Sequence, residues 1–496
     1  MFVGKWIERW SRIKPHEIAL LYEEGSYSYE ELFIRIDRLT GSLIAGGIKK
    51  GDRVAILSYN CPQYLESYFA LARMGAILVP LNCRLATREL EYILIDSGAS
   101  TLIFHEDFAE SALSFAGNLR GLPICIGKKH FQWAKDYESY VSQGTPHLPL
   151  SWEISPQDPH ILMYTSGSTG TPKGAVLSYR KTFFNTLNAD IYYGFSPHDV
   201  MIITRPMFHS GGLLVQATPI LFKGGTAVIQ PRTNAHTILR AIETHKVKVL
   251  EAPATVYNMM LNETDVSRYD LTSLRVCYTG GERVPPGLLR EFHNRGLPLS
   301  QIFGQTETST LTWLHPRDAV RKAGSVGKPV FFGKVRIVNP EGEEVETGET
   351  GEIVASGPIL MSGYWNRSDL TAEVIKDHWL HTGDLGRRDE EGFIYIVDRL
   401  KNMFISGGEN IYPSEVEKVL LENDKIEDVA LYGVPDDKWG EVGRALIVLK
   451  NGETMSKEET ISFCEGKIAK YKIPKYVGFV KELPKTAAGK IMRHRL

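Results

Sequence analysis

The chain has 496 residues, of which 43% are hydrophobic and 23% charged, and its formal net charge is −2. This composition is typical of a globular protein that is too long for one hydrophobic core, so we expect two or more domains. The near-zero charge argues against a nucleic-acid partner, and five cysteines without a C-x-x-C pair indicate reduced thiols, a cytoplasmic location and no zinc site. The charges within residues 1–15 and the short apolar runs elsewhere predict neither a signal peptide nor an integral membrane segment.

The first part of the chain alternates predicted helices and strands. Ser28 and Glu31 have the spacing of a capping box, and the helix that they begin keeps its apolar residues on one face until Gly46 and Gly47. Such alternation predicts a parallel sheet with crossover helices. The next predicted elements are a strand at 53–58, a helix at 63–74, a strand at 76–80, a helix at 87–96 and a strand at 100–104.

A second set of short apolar strands, separated by helices, follows residue 164. The predicted fold class is therefore α/β, with a large N-terminal domain of two doubly wound sheets and, from about residue 320, a small β-subdomain. After residue 400 the pattern predicts a smaller α+β C-terminal domain, so the domains are placed at 1–400 and 401–496. The elements predicted there are a helix at 414–422 capped by Ser414 and Glu417, strands at 429–433 and 445–449, a helix at 457–469 capped by Ser456 and Glu459, and a strand at 476–480.

The stretch YTSGSTGTPKG, residues 164–174, is rich in glycine and hydroxyl side chains and follows a predicted strand. Backbone N–H groups converge in such loops, which makes them suitable for binding phosphates. Neither the Walker nor the Rossmann spacing is present, because Lys173 follows Pro172 and the glycines are three and four residues apart. On this stretch alone, a simple Ser/Gly hairpin connection carries about half the weight.

Four further stretches place carboxylates and a lysine downstream of this loop: YTGGE at 278–282, FGQTE at 303–307, HTGD ending at Asp384, and PKTAAGK ending at Lys490. The five stretches, in this order, resemble the ANL superfamily of adenylate-forming enzymes, which includes acyl-CoA synthetases, peptide-synthetase adenylation domains and luciferases. The resemblance extends over essentially the whole chain. It implies an ATP-dependent acyl-CoA synthetase that forms an acyl-AMP and pyrophosphate and then transfers the acyl group to the thiol of coenzyme A.

The resemblance also implies roles for single residues. The implied catalytic residues are Lys490, Thr306, Glu307 and His209. Glu307 is the implied ligand of Mg²⁺, and Thr165 is a further candidate ligand. Lys401 is the implied hinge of a mobile C-terminal domain. The implied ATP or AMP site consists of Thr165, Ser166, Gly167, Ser168, Thr169, Gly170 and Lys173 at the β- and γ-phosphates, Thr306 and Lys490 at the α-phosphate, Gly280, Gly281, Glu282, Phe303, Gly304 and Gln305 around the adenine, and Asp384 with Arg399 at the ribose. Ser406, Gly407 and Gly408 are implied to face the pantetheine arm of coenzyme A.

Several alternatives stay open at this point. Glu307 taken alone fits a helix-end acid, Asp384 a turn residue, Lys490 a solvated tail lysine and His209 a packed histidine. For the whole chain, the alternatives are an enzyme that loads a carrier protein, a luciferase-type oxygenase and a non-enzymatic nucleotide-binding protein. The sequence also leaves open whether the chain forms a homodimer.

The predicted acid-binding segments are residues 209–214, residues 254–257, Tyr278 and residues 311–313. They are mainly apolar, so we expect the small-molecule acid to be a medium- or long-chain fatty acid or an aryl acid. Arg205 and Glu251 flank these segments in the sequence. An Arg205 side chain directed at the acid favours a dicarboxylic substrate instead.

Overall fold

The computed structural model describes residues 2–496 apart from 24, 149–152, 166–171, 232–233, 263–264, 282–283, 407–408, 437–438, 466, 469 and 486–490. The chain packs as two compact units. Unit 1 comprises Met1–Val335 and Ala355–Leu380, and unit 2 comprises Arg336–Val354 and His381–Leu496. The domain boundary predicted at 400/401 marks where the mobile part of the chain is expected to begin, and it stays a prediction.

The helices of the described chain, α1 to α14 in chain order, are Trp6–Ile13, Tyr29–Ala45, Pro62–Met74, Thr87–Ser97, Ala109–Ser114, Tyr137–Ser142, Tyr179–Tyr193, Thr218–Lys223, Ala235–His245, Ala254–Asn262, Pro286–Asn294, Ser368–Val374, Pro413–Leu420 and Lys457–Cys464. The strands, β1 to β27, are Ile18–Tyr22, Gly25–Ser28, Arg53–Leu57, Ile77–Pro80, Thr101–His105, Ile124–Ile126, Lys135–Asp136, Pro159–Thr165, Lys173–Ser178, Val200–Ile203, Thr226–Ile229, Val249–Glu251, Val276–Thr279, Leu299–Gln305, Ser309–Trp313, Lys328–Pro329, Lys334–Val338, Gly351–Ser356, Gly363–Tyr364, Ile375–Lys376, Trp379–Arg388, Ile394–Arg399, Phe404–Ser406, Glu409–Ile411, Ile426–Asp436, Gly440–Leu449 and Tyr476–Phe479.

Unit 1 contains two mixed sheets. In the order of their hydrogen-bonded neighbours, the first is β16-β15-β14-β13-β12-β10-β11-β1-β2 and the second is β19-β9-β8-β4-β3-β5-β6-β7. Strands from β14 to β1 in the first sheet, and from β8 to β7 in the second, run parallel. Antiparallel strands complete the first sheet at both edges and the second at one edge. The predicted α/β class with two sheets is therefore confirmed.

The motif stretches follow the carboxyl ends of parallel strands, where ligands bind in sheets of this kind. Strand β8 ends at Thr165, β13 ends at Thr279 and β14 ends at Gln305. The helices that cover the sheets bury extensive apolar surface, as at Tyr257 and Phe292, whose rings meet edge to face with centroids 5.1 Å apart. This packing fixes the strand ends that carry the candidate site.

Local sequence signals explain several helix ends. Ser28 and Glu31 form the predicted capping box of α2, and Ser456 and Glu459 form that of α14. The helix predicted at 457–469 ends earlier, at Cys464. No helix within the described parts of the chain is long and apolar enough to cross a bilayer.

Unit 2 has an antiparallel sheet in the order β24-β23-β26-β25, with β27 parallel to β26. The strands predicted at 429–433 and 445–449 are longer in the structure and form the hairpin of β25 and β26. The predicted cap at Ser414 is wrong. The helix begins one residue earlier, at Pro413, because the Ser414 N–H donates to Asp398 and its hydroxyl donates to the Val397 carbonyl.

Candidate active site

The stretch FGQTE ends in the tight turn between β14 and β15. Gln305 and Ser309 are paired at the base of this turn, and a Cβ on Gly304 would lie 1.9 Å from the Ser309 carbonyl oxygen, so only glycine fits there. Ser309 adopts a left-handed φ of 58°, which is uncommon for a residue with a side chain and recurs at functional sites. The turn therefore holds Thr306 and Glu307 at the end of the first sheet.

The carboxylate of Glu307 is held by hydroxyl groups from the second sheet. Its Oε1 accepts a hydrogen bond from the Tyr364 hydroxyl over 2.9 Å and a longer one from Thr165 Oγ1 over 3.4 Å. The Glu307 carbonyl accepts from the Met361 N–H over 2.8 Å. The structure thus brings together Thr165 and Glu307, the two residues that the resemblance assigns to Mg²⁺.

Tyr364 also contacts the end of the glycine-rich stretch. The Lys173 ammonium lies 4.0 Å from the centroid of the Tyr364 ring, which is a cation–π contact. Burial raises the pKa of the Tyr364 hydroxyl, and the neighbouring Glu307 carboxylate raises it further, so the hydroxyl stays a donor at neutral pH. Tyr364 lies 57 positions from Glu307 in a short strand without a recognisable motif, so the sequence gives no signal of its role.

Lys181 of α7 is fully buried beneath the same turn. Its ammonium donates to Ser309 Oγ over 2.7 Å, to the Ile359 carbonyl over 2.6 Å and to the Glu307 carbonyl over 3.2 Å. Burial lowers the pKa of Lys181 to about 7, and the nearby Glu307 carboxylate opposes that shift. Lys181 belongs to none of the sequence motifs that point to the site.

Lys181 is one of several buried polar residues that share a face of α7. Asn185 donates from Nδ2 to the Leu214 carbonyl over 2.8 Å and accepts at Oδ1 from the Thr310 N–H over 3.4 Å. It thereby joins β15 to the π-helix Gly211–Ala217, which contains most of the predicted segment 209–214. The face has helical spacing i, i+4, i+7 and i+11 and consists of Lys181, Asn185, Asn188 and Tyr192.

The partly exposed Arg205 and the buried Glu251 form an ion pair near both the predicted acid and the predicted adenine segments. The closest approach, from Arg205 Nη2 to Glu251 Oε1, is 2.7 Å, and Gln216 also donates to the Glu251 carboxylate over 2.6 Å. Arg205 Nη2 further donates to the Gly280 carbonyl over 2.8 Å, and a Cβ on Gly211 would meet the Arg205 side chain at 2.6 Å. The Arg205 charge is thus compensated within the protein.

The glycines of YTGGE are required by the backbone. A Cβ on Gly280 would lie 2.2 Å from the Ile302 carbonyl oxygen, and Gly281 has φ of 78°. Phe303 is half-buried in β14, paired with Thr312 of β15. These positions form the strand-end turn that an adenine site needs, and the adenine contacts themselves stay predictions.

The predicted acid segments approach one another through aromatic side chains. The Tyr192 ring lies 5.8 Å from that of Tyr278 and 6.4 Å from that of Trp313. Tyr257 donates to the Tyr278 carbonyl over 3.0 Å, which places residues 254–257 beside them. The side chains that meet here, those of Tyr192, Tyr257, Tyr278 and Trp313, are aromatic and uncharged.

His209 precedes the π-helix and is exposed, with its ring centroid 4.6 Å from that of Phe208. Its backbone N–H donates to the Pro206 carbonyl over 3.1 Å. His209 thus lies at an exposed position just before the π-helix, and its catalytic role stays a prediction.

In unit 2, Asp384 and Arg399 face each other across β21 and β22. Arg399 Nε contacts Asp384 Oδ1 at 2.5 Å, and Asp384 is 2% exposed. The structure confirms that these two residues are adjacent, while their ribose contact stays a prediction. Lys401 follows in a short helical turn, Leu400–Asn402, and Ser406 is buried at the end of β23.

The chain on either side of residues 486–490 is firmly attached to unit 2. Lys485 and Ile491 form a backbone bridge, and Arg493 Nη2 contacts Glu417 Oε1 at 2.7 Å. Burial raises the pKa of Glu417, and the Arg493 charge opposes that shift. Arg493 also donates to the Leu431 carbonyl.

Several residues predicted for the site lie outside the described part of the chain. They are Ser166, Gly167, Ser168, Thr169, Gly170, Glu282, Gly407, Gly408 and Lys490.

The residues at the turn suit magnesium brought in by a nucleotide. Within the described ranges no group of three or more His, Cys, Asp or Glu could hold a metal ion. Mg²⁺ prefers oxygen ligands and is commonly bound through one or two carboxylates together with substrate phosphates. One carboxylate at Glu307 and one hydroxyl at Thr165 fit that requirement.

Comparisons with known proteins agree with this geometry. A family model described as AMP-binding enzyme matches residues 7–365, and one described as AMP-binding enzyme C-terminal domain matches residues 415–490. The indoleacetate–CoA ligase of Aromatoleum aromaticum is 39% identical over 494 residues, covering 99% of this chain and 97% of that protein. The feruloyl-CoA synthase of an Amycolatopsis species is 40% identical over 492 residues, with the same coverage.

A solved structure of similar architecture is the o-succinylbenzoate CoA synthetase of Bacillus subtilis in complex with its acyl-adenylate intermediate. It has a TM-score of 0.89 and 32% identity, covering 99% of this chain and 97% of that one. Another structure of that enzyme, with ATP and a magnesium ion, has the same score and identity and covers 99% of both chains.

Proposed function

This chain belongs to the AMP-binding enzyme family, and from that premise we propose that it activates an aryl monocarboxylic acid. It is an AMP-forming acid–CoA ligase, with ATP and coenzyme A as its co-substrates. The identity of the acid is the part of the function that we propose.

The reaction has two steps at one site. A carboxylate oxygen first attacks the α-phosphorus of ATP, the bond from that phosphorus to the bridging oxygen breaks, and pyrophosphate leaves. The sulfur of coenzyme A then loses its proton and attacks the acyl carbon, and the bond between that carbon and the AMP oxygen breaks. The first step brings two anions together and needs compensating positive charge, whereas the thiol of the second step needs mainly correct positioning.

The residues around the turn are suited to the first step. We assign the Glu307 carboxylate and the Thr165 hydroxyl to the metal, because they are in contact with each other, and Thr306, their neighbour in the turn, to the α-phosphate. Bound Mg²⁺ supplies positive charge at the phosphate oxygens. Lys173, held against the Tyr364 ring, adds a cation at the phosphate-binding stretch, and the role of Lys490 rests on the resemblance.

The aryl character of the acid is supported by two kinds of observation. Indoleacetate and ferulate, the acids in the names of the two relatives, are both aryl acids with one carboxylate. Tyr278 and Trp313, which belong to the predicted acid segments, cluster with the ring of Tyr192 from α7, and aromatic side chains suit a flat ring. Neither observation supports the fatty-acid alternative.

The observation that favours a single carboxylate is the ion pair of Arg205 and Glu251. A cation that is to bind a second carboxylate of the substrate must have uncompensated charge, and Arg205 instead makes a short contact with a buried acid. The pair is also bonded to Gln216 and Gly280, so it is fixed in place. A relative that is 34% identical has 2-succinylbenzoate in its name. We therefore expect 2-succinylbenzoate to be a poorer substrate of this enzyme than aryl acids with one carboxylate.

A substrate panel tests this proposal. The enzyme, with Mg²⁺, ATP and coenzyme A, is given ferulate, indoleacetate, cinnamate, benzoate, 2-succinylbenzoate, octanoate and palmitate, and the release of AMP and the acyl-CoA product are both measured. We expect an aryl monocarboxylate to exceed both fatty acids and 2-succinylbenzoate in kcat/KM by at least about 100-fold, or ~2.7 kcal/mol. A fatty acid or 2-succinylbenzoate as the best substrate would contradict it. Acyl-AMP without acyl-CoA, or light in the presence of oxygen, would instead favour the carrier-protein or luciferase alternative.

A further inference from the structure

The buried lysine beneath the turn is the feature that the reaction as described does not use. Lys181 is 0% exposed and its three ammonium hydrogens have three acceptors: the carbonyl of Glu307, the hydroxyl of Ser309 and the carbonyl of Ile359. Two of these acceptors flank the turn that carries Thr306 and Glu307. The third lies just before β19, whose Tyr364 contacts the Glu307 carboxylate.

A lysine is a costly choice for this position. Removing an ammonium from water is unfavourable, and a buried charge costs free energy unless it is paired or hydrogen-bonded. The three acceptors are two carbonyls and a hydroxyl, which are weaker partners for an ammonium than a carboxylate in direct contact. We therefore take these three hydrogen bonds to fix the geometry of the turn rather than to stabilise the fold.

We propose that Lys181 is a positioning residue for the adenylation step, and that it fixes the 306–309 turn so that Thr306 and Glu307 bind the nucleotide and its metal. This inference rests on the proposed function. Lys181 itself touches no substrate in this account and acts through the turn. Because the metal assists the attack on the α-phosphorus, whereas the thiol attack breaks only the bond from the acyl carbon to the AMP oxygen, loss of Lys181 affects the first step more than the second.

The test separates the two half-reactions in Lys181→Met, which keeps an unbranched side chain of similar length and removes all three donors. Adenylation is measured as acid-dependent exchange of labelled pyrophosphate into ATP at several Mg²⁺ concentrations. Thioester formation is measured from a supplied aryl-AMP and coenzyme A. The matched control is Lys223→Met, which removes a partly exposed lysine paired with Asp190.

We expect Lys181→Met to lower adenylation by about 10- to 100-fold and to raise the Mg²⁺ concentration for half-maximal exchange, because the turn loses all three hydrogen bonds from the ammonium. Thioester formation from the supplied aryl-AMP is expected to stay within about threefold of the unmodified enzyme. Equal losses in both half-reactions, or an unchanged Mg²⁺ requirement, would overturn the inference. The control variant is expected to match the unmodified enzyme in both.

A milder variant keeps the inference testable should Lys181→Met fail to fold. Ser309→Ala removes one acceptor and keeps the same left-handed backbone position, so adenylation should fall by about threefold with thioester formation unchanged. Adenylation equal to that of the unmodified enzyme in this variant counts against the inference. Absence of exchange in the unmodified enzyme, with any acid, contradicts the proposed function itself.

Discussion

The hydroxyl of Tyr364 donates a hydrogen bond to Oε1 of Glu307 over 2.9 Å, and so joins the edge of the second sheet to the turn at the end of the first. The same ring carries the Lys173 ammonium on its face. One side chain therefore connects the proposed metal ligand with the end of the glycine-rich stretch, and both lie within unit 1.

The first prediction concerns this hydroxyl. Tyr364→Phe keeps the ring for Lys173 and removes the hydrogen bond to Glu307, so the carboxylate loses its orientation. Adenylation should fall by about 3- to 10-fold, because the loss of one hydrogen bond typically has an effect on this scale, and the Mg²⁺ requirement should rise. Pyrophosphate exchange against Mg²⁺ concentration measures both effects. An unchanged Mg²⁺ dependence would show that the hydroxyl does not orient the ligand.

The second prediction concerns the compensation of Arg205. Glu251→Gln removes the acid that neutralises it and keeps the size of the side chain. The ratio of kcat/KM for 2-succinylbenzoate to that for ferulate should rise by about tenfold, or ~1.4 kcal/mol, because the guanidinium becomes available to a second carboxylate. Glu110→Gln, at an exposed position, is the control. A ratio that stays constant means that Arg205 does not face the acid.

The sequence predicted best what depends on neighbouring residues. The capping boxes at Ser28 and Ser456 were found because both partners lie within four positions of each other. The cap predicted at Ser414 is wrong because Asp398, 16 positions earlier, accepts a hydrogen bond from the Ser414 N–H. A pattern of neighbouring residues carries no information about a partner so far away in the sequence.

The candidate site depends on contacts between residues that are far apart in the sequence. Thr165 and Glu307 were assigned from motifs and meet in the structure, although they are 142 positions apart. Lys181 and Asn185 were missed because polar residues on a helix are ordinarily read as solvent-facing. Their spacing of i and i+4, continued by Asn188 and Tyr192 on the same helix, is the available signal for a buried polar face. The sequence alone also could not pair Arg205 with Glu251, which is 46 positions away.

The third prediction concerns acid stability. His160 is fully buried, stacks on Tyr179 and has a pKa lowered to about 3 by burial, against 6.5 in the unfolded chain. Between these values the unfolded state binds a proton that the folded state does not, so stability falls as pH falls from 6.5 towards 3, by up to about 1.4 kcal/mol per pH unit from this group. His160→Phe should flatten the fall in the free energy of unfolding over this range, measured by denaturant titration. His130→Phe, at an exposed position, should leave the slope as it is, and an equally steep slope in His160→Phe would rule out this contribution.

The fourth prediction concerns the ion pair that anchors the C-terminal segment. Arg493→Met leaves the Glu417 carboxylate buried without its cation, and breaking such a pair typically costs about 3–5 kcal/mol. Thermal unfolding should show the loss. The double variant Arg493→Met with Glu417→Leu should recover most of it, since no buried charge remains. A double variant as unstable as Arg493→Met alone would mean that the hydrogen bond to Leu431 carries the effect instead.

The account as a whole depends on the chain forming an acyl-AMP from an aryl acid and passing it to coenzyme A. The direct measurement is exchange of labelled pyrophosphate into ATP with ferulate or indoleacetate and Mg²⁺, followed by addition of coenzyme A and chromatography of the product. We predict acid-dependent exchange and a matching acyl-CoA with one AMP released for each thioester. Absence of exchange with every aryl and aliphatic acid tried would contradict it.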